Sequence, residues 1–127
     1  MRIGIPVWEN RVSPVFDFAS SLLIVELEEG KEKRRLDMHL GGKDIMYRCI
    51  RIKEIGINLL ICGAISNPFL NQLAASEINV VTEITGNIDD VINAYLKGDL
   101  ADEKFLMPGC KKKKFAKNKY CNMYAKY

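Results

Sequence analysis

Four cysteines and one histidine are the soft and imidazole donors of this 127-residue chain, and their spacing restricts what they can do. Cys49, Cys62, Cys110 and Cys121 contain no CxxC pair and match neither a zinc signature nor a regular disulfide framework. Cys110 and Cys121 lie 11 residues apart among lysines, whose charge lowers a thiol pKa and favours the thiolate. Two such thiolates are soft ligands suited to an iron–sulfur species, or else incidental thiols of a solvated segment. Cys62 closes an apolar run and leads into a glycine turn, so it reads either as a small core residue or as a ligand at a strand mouth. Cys49 falls on the apolar stripe of a helix and is expected in the core. His39, just before Gly41-Gly42, is either a plain surface residue or an imidazole ligand at a strand-to-helix corner. Asp17, within SPVFDFA, is either a turn residue or a polar group lining a pocket. No Ser-His-Asp arrangement, paired-carboxylate motif, phosphate loop or GxGxxG occurs, so hydrolase, kinase and dehydrogenase chemistry lacks support and no enzyme activity is expected.

The elements that must position these groups follow from periodicity. Residues 2–8 (RIGIPVW) read as a strand, with Pro6 tolerable only near an edge or a strand end. Turn chemistry at Asn10 and Ser13-Pro14 marks the loop that follows. Residues 21–28 form a buried strand, Glu29-Gly30 a hairpin turn, and residues 31–40 a more exposed returning strand with Leu36, Met38 and Leu40 inward. After Gly41-Gly42 the period becomes helical: Ile45, Cys49 and Ile52 make a stripe, widened by Met46, Ile50 and Ile55, and Gly56 ends it. Asn58–Ala64 (NLLICGA) suits a central parallel strand covered on both faces. Asn67-Pro68 starts a helix with Asn67 as N-cap, and Phe69, Leu70, Leu73 and Ala74 form its apolar face. INVVT (78–82) is a last strand; Asn87 caps a last helix carrying Asp89 and Asp90 in its first turn, and Gly98 stops it.

The order is β-β-β-α-β-α-β-α, which predicts an α/β fold with a mixed five-stranded sheet and helices on its faces. In open α/β sheets, ligands sit beyond the C-terminal ends of the parallel strands. That rule selects the loop from Trp8 to Ala19, the turn Cys62-Gly63-Ala64-Ile65-Ser66-Asn67, and the turn around Thr85-Gly86-Asn87. The last two lead into helix N-termini, whose free N–H groups favour anions.

Net charge is +3, but unevenly placed. Residues 1–110 carry 12 basic and 16 acidic groups, whereas residues 111–127 carry seven lysines and no acidic residue. A mildly acidic domain over 1–110 followed by a lysine-rich, disordered tail over 111–127 is expected. The tail interleaves its lysines with Phe115, Tyr120, Tyr124 and Tyr127, a composition suited to single-stranded nucleic acid, an anionic surface or an acidic partner. No apolar run reaches the roughly 18 residues of a membrane span, and no signal peptide is visible, so a cytoplasmic protein without disulfides is expected.

Three stretches carry a family likeness: RIGIPVWENRVSPVFDFASSLLIVELEEG, GINLLICGAISNPFLNQLAASEINVV and GNIDDVINAYLKGDLADEKFLMPGC. Together they resemble the dinitrogenase iron–molybdenum cofactor biosynthesis family, the NifX and NifB C-terminal-like proteins, over about residues 1–110. The resemblance implies a ribonuclease H-like three-layer fold. It also implies a carrier or accessory protein that binds an iron–sulfur or iron–molybdenum cluster and exchanges it with a metallocluster donor or acceptor protein. Carried onto this chain, the positions are Asp17 and its loop, with His39, Cys62 and Cys110 as metal ligands; Gly63 and Ser66 are expected beside Asp17 around the cargo, and Cys121, in the tail beyond the likeness, is expected as a further metal ligand. A rival reading, from the tail alone, is a regulatory module without metal that binds nucleic acid or an acidic partner.

Overall fold

The computed structural model describes residues 1–41, 44–100 and 105–106. Two two-residue turns shape its first half. Glu9 and Asn10 (φ 49° and 62°) join β1 (Arg2–Trp8) to the short β2 (Arg11–Val12). Glu29 and Gly30 (φ 52° and 75°) join β3 (Ser21–Glu28) to β4 (Lys31–His39). Left-handed backbone at both central residues matches the right-handed twist of the strands, which is why such turns close hairpins.

The rest alternates helix and strand: α1 (Ile45–Ile55), β5 (Leu59–Ile61), α2 (Asn67–Ala75), β6 (Asn79–Val81) and α3 (Ile88–Lys97). The sheet order is β4-β3-β1-β5-β6, with β2 paired to the end of β1. β1, β5 and β6 are parallel; β3 and β4 are antiparallel to their neighbours. The expected five strands and their order along the chain are all present, and β2 makes a sixth. β1 is a central strand, yet its pairs with β5 are Ile3 and Gly4 only, so Pro6 lies beyond that ladder and near the strand's end.

Alternate residues of the central strands serve two cores. Ile3, Ile5, Leu23, Val25, Leu59 and Ile61 face α3, whose Val91 and Ile92 are buried against them. Leu22, Ile24, Leu60, Cys62 and Val80 face α1 and α2 with Cys49, Ile52, Phe69 and Leu73. β5 is therefore covered on both sides, as its unbroken apolar run requires. Caps set the helix ends: Asp44 accepts from Tyr47 N at 3.1 Å, Asn87 accepts from Asp89 N at 2.9 Å, and Gly56 and Gly98 take left-handed φ of 84° and 79°.

Three sequence expectations change. Leu36 does not point inward from β4 but is exposed at 41%, because β4 is the edge strand of the sheet. Met46 and Ile50 do not widen the buried stripe of α1; they face solvent, about half exposed, while Arg48 is buried at 2%. Periodicity counts apolar residues and cannot anticipate a cation whose partners come from another segment. The cap of α2 is Ser66, one residue before Asn67, and Ala74 is exposed.

Candidate functional site

The loop after β1 turns back over the end of the sheet. Ser13 N donates to Pro6 O (2.8 Å), which starts the turn. The loop then runs beside the turn after β5: Ala64 N donates to Pro14 O and Phe16 N donates to Ala64 O, both at 2.8 Å, around a parallel bridge of Val15 with Ala64. The approach is close enough that a Cβ on Gly63 would lie 2.7 Å from both Ser13 O and Pro14 O. Only glycine fits there. The segments RVSPVFDFA and LLICGAIS, far apart in sequence, thus form one backbone unit at the C-terminal ends of β1 and β5.

A 3₁₀ turn, Phe16–Phe18, then presents Asp17. Its carboxylate accepts from Ser66 N at 3.0 Å, at the start of α2. Ser66 makes no side-chain cap bond, and its own backbone N–H is satisfied by Asp17, 49 residues away in sequence. A carboxylate at a helix N-terminus is favoured by the free N–H groups and the helix dipole. Beneath it, the fully buried Phe16 ring meets Phe69 edge-on, with centroids 5.1 Å apart and planes at 82°. Arg48 donates to Phe16 O (3.2 Å) and holds its guanidinium 5.9 Å from the Phe16 ring centre. Burial pulls the Arg48 pKa down, and the nearby Asp17 charge opposes that shift. Arg48 therefore anchors the turn that carries Asp17. Its polar type masked it in the sequence.

The predicted residues are only partly united. Asp17, Gly63 and Ser66 meet in the unit just described. Cys62 lies directly below as a fully buried side chain. Burial first, then the charges of Asp17 and Glu83, raises its thiol pKa and keeps it neutral. His39 is exposed at the end of β4, opposite Ser21. It sits at the same end of the sheet, but β3 and β1 separate its strand from β5. Three strand spacings make about 14 Å, too far for His39 and Cys62 to share one metal ion. Cys49 is in the core, as expected, with its thiol pushed up to about 11 by burial. Cys110 and Cys121, and the tail as a whole, lie outside the described residues. Among the described residues no group of three or more His, Cys, Asp or Glu side chains could hold a metal ion. No described helix is long and apolar enough to cross a membrane.

The third predicted place is built from both halves of the chain. Val12 N donates to Gly86 O (3.0 Å), Ile88 N donates to Asn10 O (2.9 Å), and Arg11 bridges Asn87, which docks the first hairpin on the start of α3. Glu83 N donates to Gly63 O (2.9 Å) and Ile84 N donates to Cys62 O (3.0 Å). Leu106 pairs antiparallel with Ile84, and Thr85 N donates to Phe105 O (2.8 Å). The chain thus returns to the same end of the sheet after α3, and the buried Phe105 and Leu106 fasten it there.

Known proteins share this fold. A family model described as dinitrogenase iron-molybdenum cofactor matches residues 1–98. An uncharacterised protein of Methanocaldococcus jannaschii is 29% identical over 110 residues, covering 83% of this chain and 92% of the relative. Among solved structures, the crystal structure of PH0822 superposes with a TM-score of 0.73 at 24% identity, covering 77% of this chain and 92% of that one. The apo form of the orange protein from Desulfovibrio gigas superposes with a TM-score of 0.62 at 16% identity, over 77% of this chain and 88% of that one. The family match spans the hairpin, the Asp17 turn, the glycine turn and all three helices, and the chain belongs to the dinitrogenase iron-molybdenum cofactor family.

Proposed function

We propose that this protein is a carrier or accessory protein that receives a metal–sulfur cluster and passes it on, with the strand-end face around Asp17, Gly63 and Ser66 as the docking place. The family is one of cofactor biosynthesis and handling, not of catalysis. One observation carries the reading: Leu106 is pinned beside Ile84, whose own N–H bonds the carbonyl of Cys62. Cys110 follows four residues later, so it lies at most about 14 Å from Leu106 along the chain. A thiolate from Cys110 thereby comes within reach of the face, whereas Cys62 is a neutral thiol in its floor.

The donor set fits a transient cargo better than a resident cluster. A permanent iron–sulfur site is held by several thiolates, and the described residues offer none exposed. Cys110 supplies the first soft ligand in this reading and Cys121 the second. His39 stands too far from Cys62 to complete one ion with it. The partners implied are a cluster donor and a cluster acceptor.

Anaerobic incubation of the full chain with iron and sulfide, followed by gel filtration, tests this. Sulfide-to-iron charge-transfer absorption should stay with the protein and be lost in Cys110→Ser. No retained chromophore in the wild-type protein, or an undiminished one in Cys110→Ser, refutes the proposal.

A further inference from the structure

The face just described has the wrong charge for an anion. Its outward groups are Glu9, Asp17 and Glu83. Asp17 and Glu83 each lie one hydrogen bond from the Gly63–Ser66 turn, through Ser66 N and Gly63 O. Glu9 sits in the hairpin that docks on the start of α3. The loops after β1, β5 and β6 contain no lysine, and Arg11 is their only cation. Arg48, which approaches from α1, is buried and faces Phe16.

The same face exposes two large aromatic side chains. Trp8 ends β1 at 59% exposure, and Phe18 ends the 3₁₀ turn at 70%. Aromatic faces beside carboxylates make a surface for cations and for other rings.

A segment with the complementary composition starts close by. Residues 111–127 hold seven lysines, no acidic residue, and Phe115, Tyr120, Tyr124 and Tyr127. Lys111 is five residues beyond Leu106, hence within about 18 Å of it, and Leu106 is held next to Ile84, adjacent to Glu83. A tether this short gives the tail a high effective concentration over its own domain. An unrelated partner must compete with that.

We propose that residues 111–127 dock in cis on this acidic, aromatic-rimmed face, lysines against Glu9, Asp17 and Glu83 and aromatic rings against Trp8 and Phe18. Seven lysines against three carboxylates turn the sign of this face from negative to positive, so that an anionic cargo meets lysines instead of carboxylates. The inference concerns the same face as the proposed function, but it does not depend on any cluster being bound.

Trp8 is the only tryptophan in the chain, so its fluorescence reports on this face alone. The experiment is acrylamide quenching of Trp8 in the full chain at low ionic strength. It is compared with a full-length variant whose seven tail lysines are glutamine. The wild-type protein should be less quenched than the variant. Its protection should disappear near 1 M salt, where the screening length falls to about 3 Å. The double variant Glu9→Gln/Glu83→Gln, with its lysines intact, should lose the protection as well, circular dichroism confirming that it is folded. Equal quenching of the wild-type protein and the tail-lysine variant at low salt overturns the proposal. Retained protection in the double variant overturns the assigned surface. Protection that grows with protein concentration overturns docking in cis. If a single-stranded RNA oligonucleotide binds the tail while Trp8 is equally exposed in all variants, the tail is a nucleic-acid element and the proposal is wrong.

Discussion

Substituting Gly63 by alanine should do more damage than the same change at Gly56, although the Gly63 backbone is not in the left-handed region. The added Cβ would lie 2.7 Å from the carbonyl oxygens of both Ser13 and Pro14. Neither oxygen is free to retreat. Pro14 O accepts from Ala64 N at 2.8 Å, Phe16 N donates to Ala64 O at 2.8 Å, and Ser13 N is tied to Pro6 O at 2.8 Å. Relief requires the loop and the turn to part by several tenths of an ångström. Overpacking of this kind costs about 1–3 kcal/mol, and weakening two backbone hydrogen bonds adds about 0.5–1.5 kcal/mol each. The expected loss is therefore about 2–6 kcal/mol, a large share of the roughly 5–15 kcal/mol of a typical domain. Gly56→Ala is the control. Gly56 has φ 84°, and its Cβ would meet only Arg2 Nη1 at 3.8 Å, so its cost is conformational, about 1–2 kcal/mol. Urea unfolding followed by circular dichroism measures both. A smaller loss for Gly63→Ala than for Gly56→Ala would refute the view that a close backbone approach builds this site.

Two further outcomes follow from the buried groups. Cys49, with its thiol pushed up to about 11, and Cys62, pushed up further by burial and by Asp17 and Glu83, keep their protons in the native state after the unfolded chain has released them. The unfolded state then binds fewer protons than the native one, so stability falls as pH rises from about 9 to 11, by up to about 1.4 kcal/mol per pH unit for each thiol; Cys49→Ala should flatten the pH dependence of the urea midpoint, and an unchanged slope would contradict it. Arg48→Met keeps the side chain's bulk but leaves Phe16 O without the Arg48 N–H, and should cost about 1–3 kcal/mol; thermal melts showing no loss would mean that Arg48 does not anchor the Asp17 turn.

Local chemistry alone determined much of this protein. Glu29-Gly30 specified a hairpin, Asn87 and Gly98 bounded α3, Gly56 ended α1, and the unbroken run of Asn58–Ala64 demanded cover on both faces. Each is a short-range effect of backbone conformation, capping or side-chain periodicity, so each was legible in a few adjacent residues. Other features depended on partners that no local window contains. Arg48 is buried because Phe16, 32 residues earlier, offers it a carbonyl and a ring. Ser66 became the cap of α2 in place of Asn67 at a turn where Asp17 accepts its N–H. Tertiary structure also decided which candidate ligands could meet. The strand order placed β3 and β1 between His39 and Cys62, while Gly63 drew Asp17 and Ser66 together. Residue types named the possible participants, but their distances were set by how the strands pack side by side, a long-range outcome that spacing along the chain does not encode.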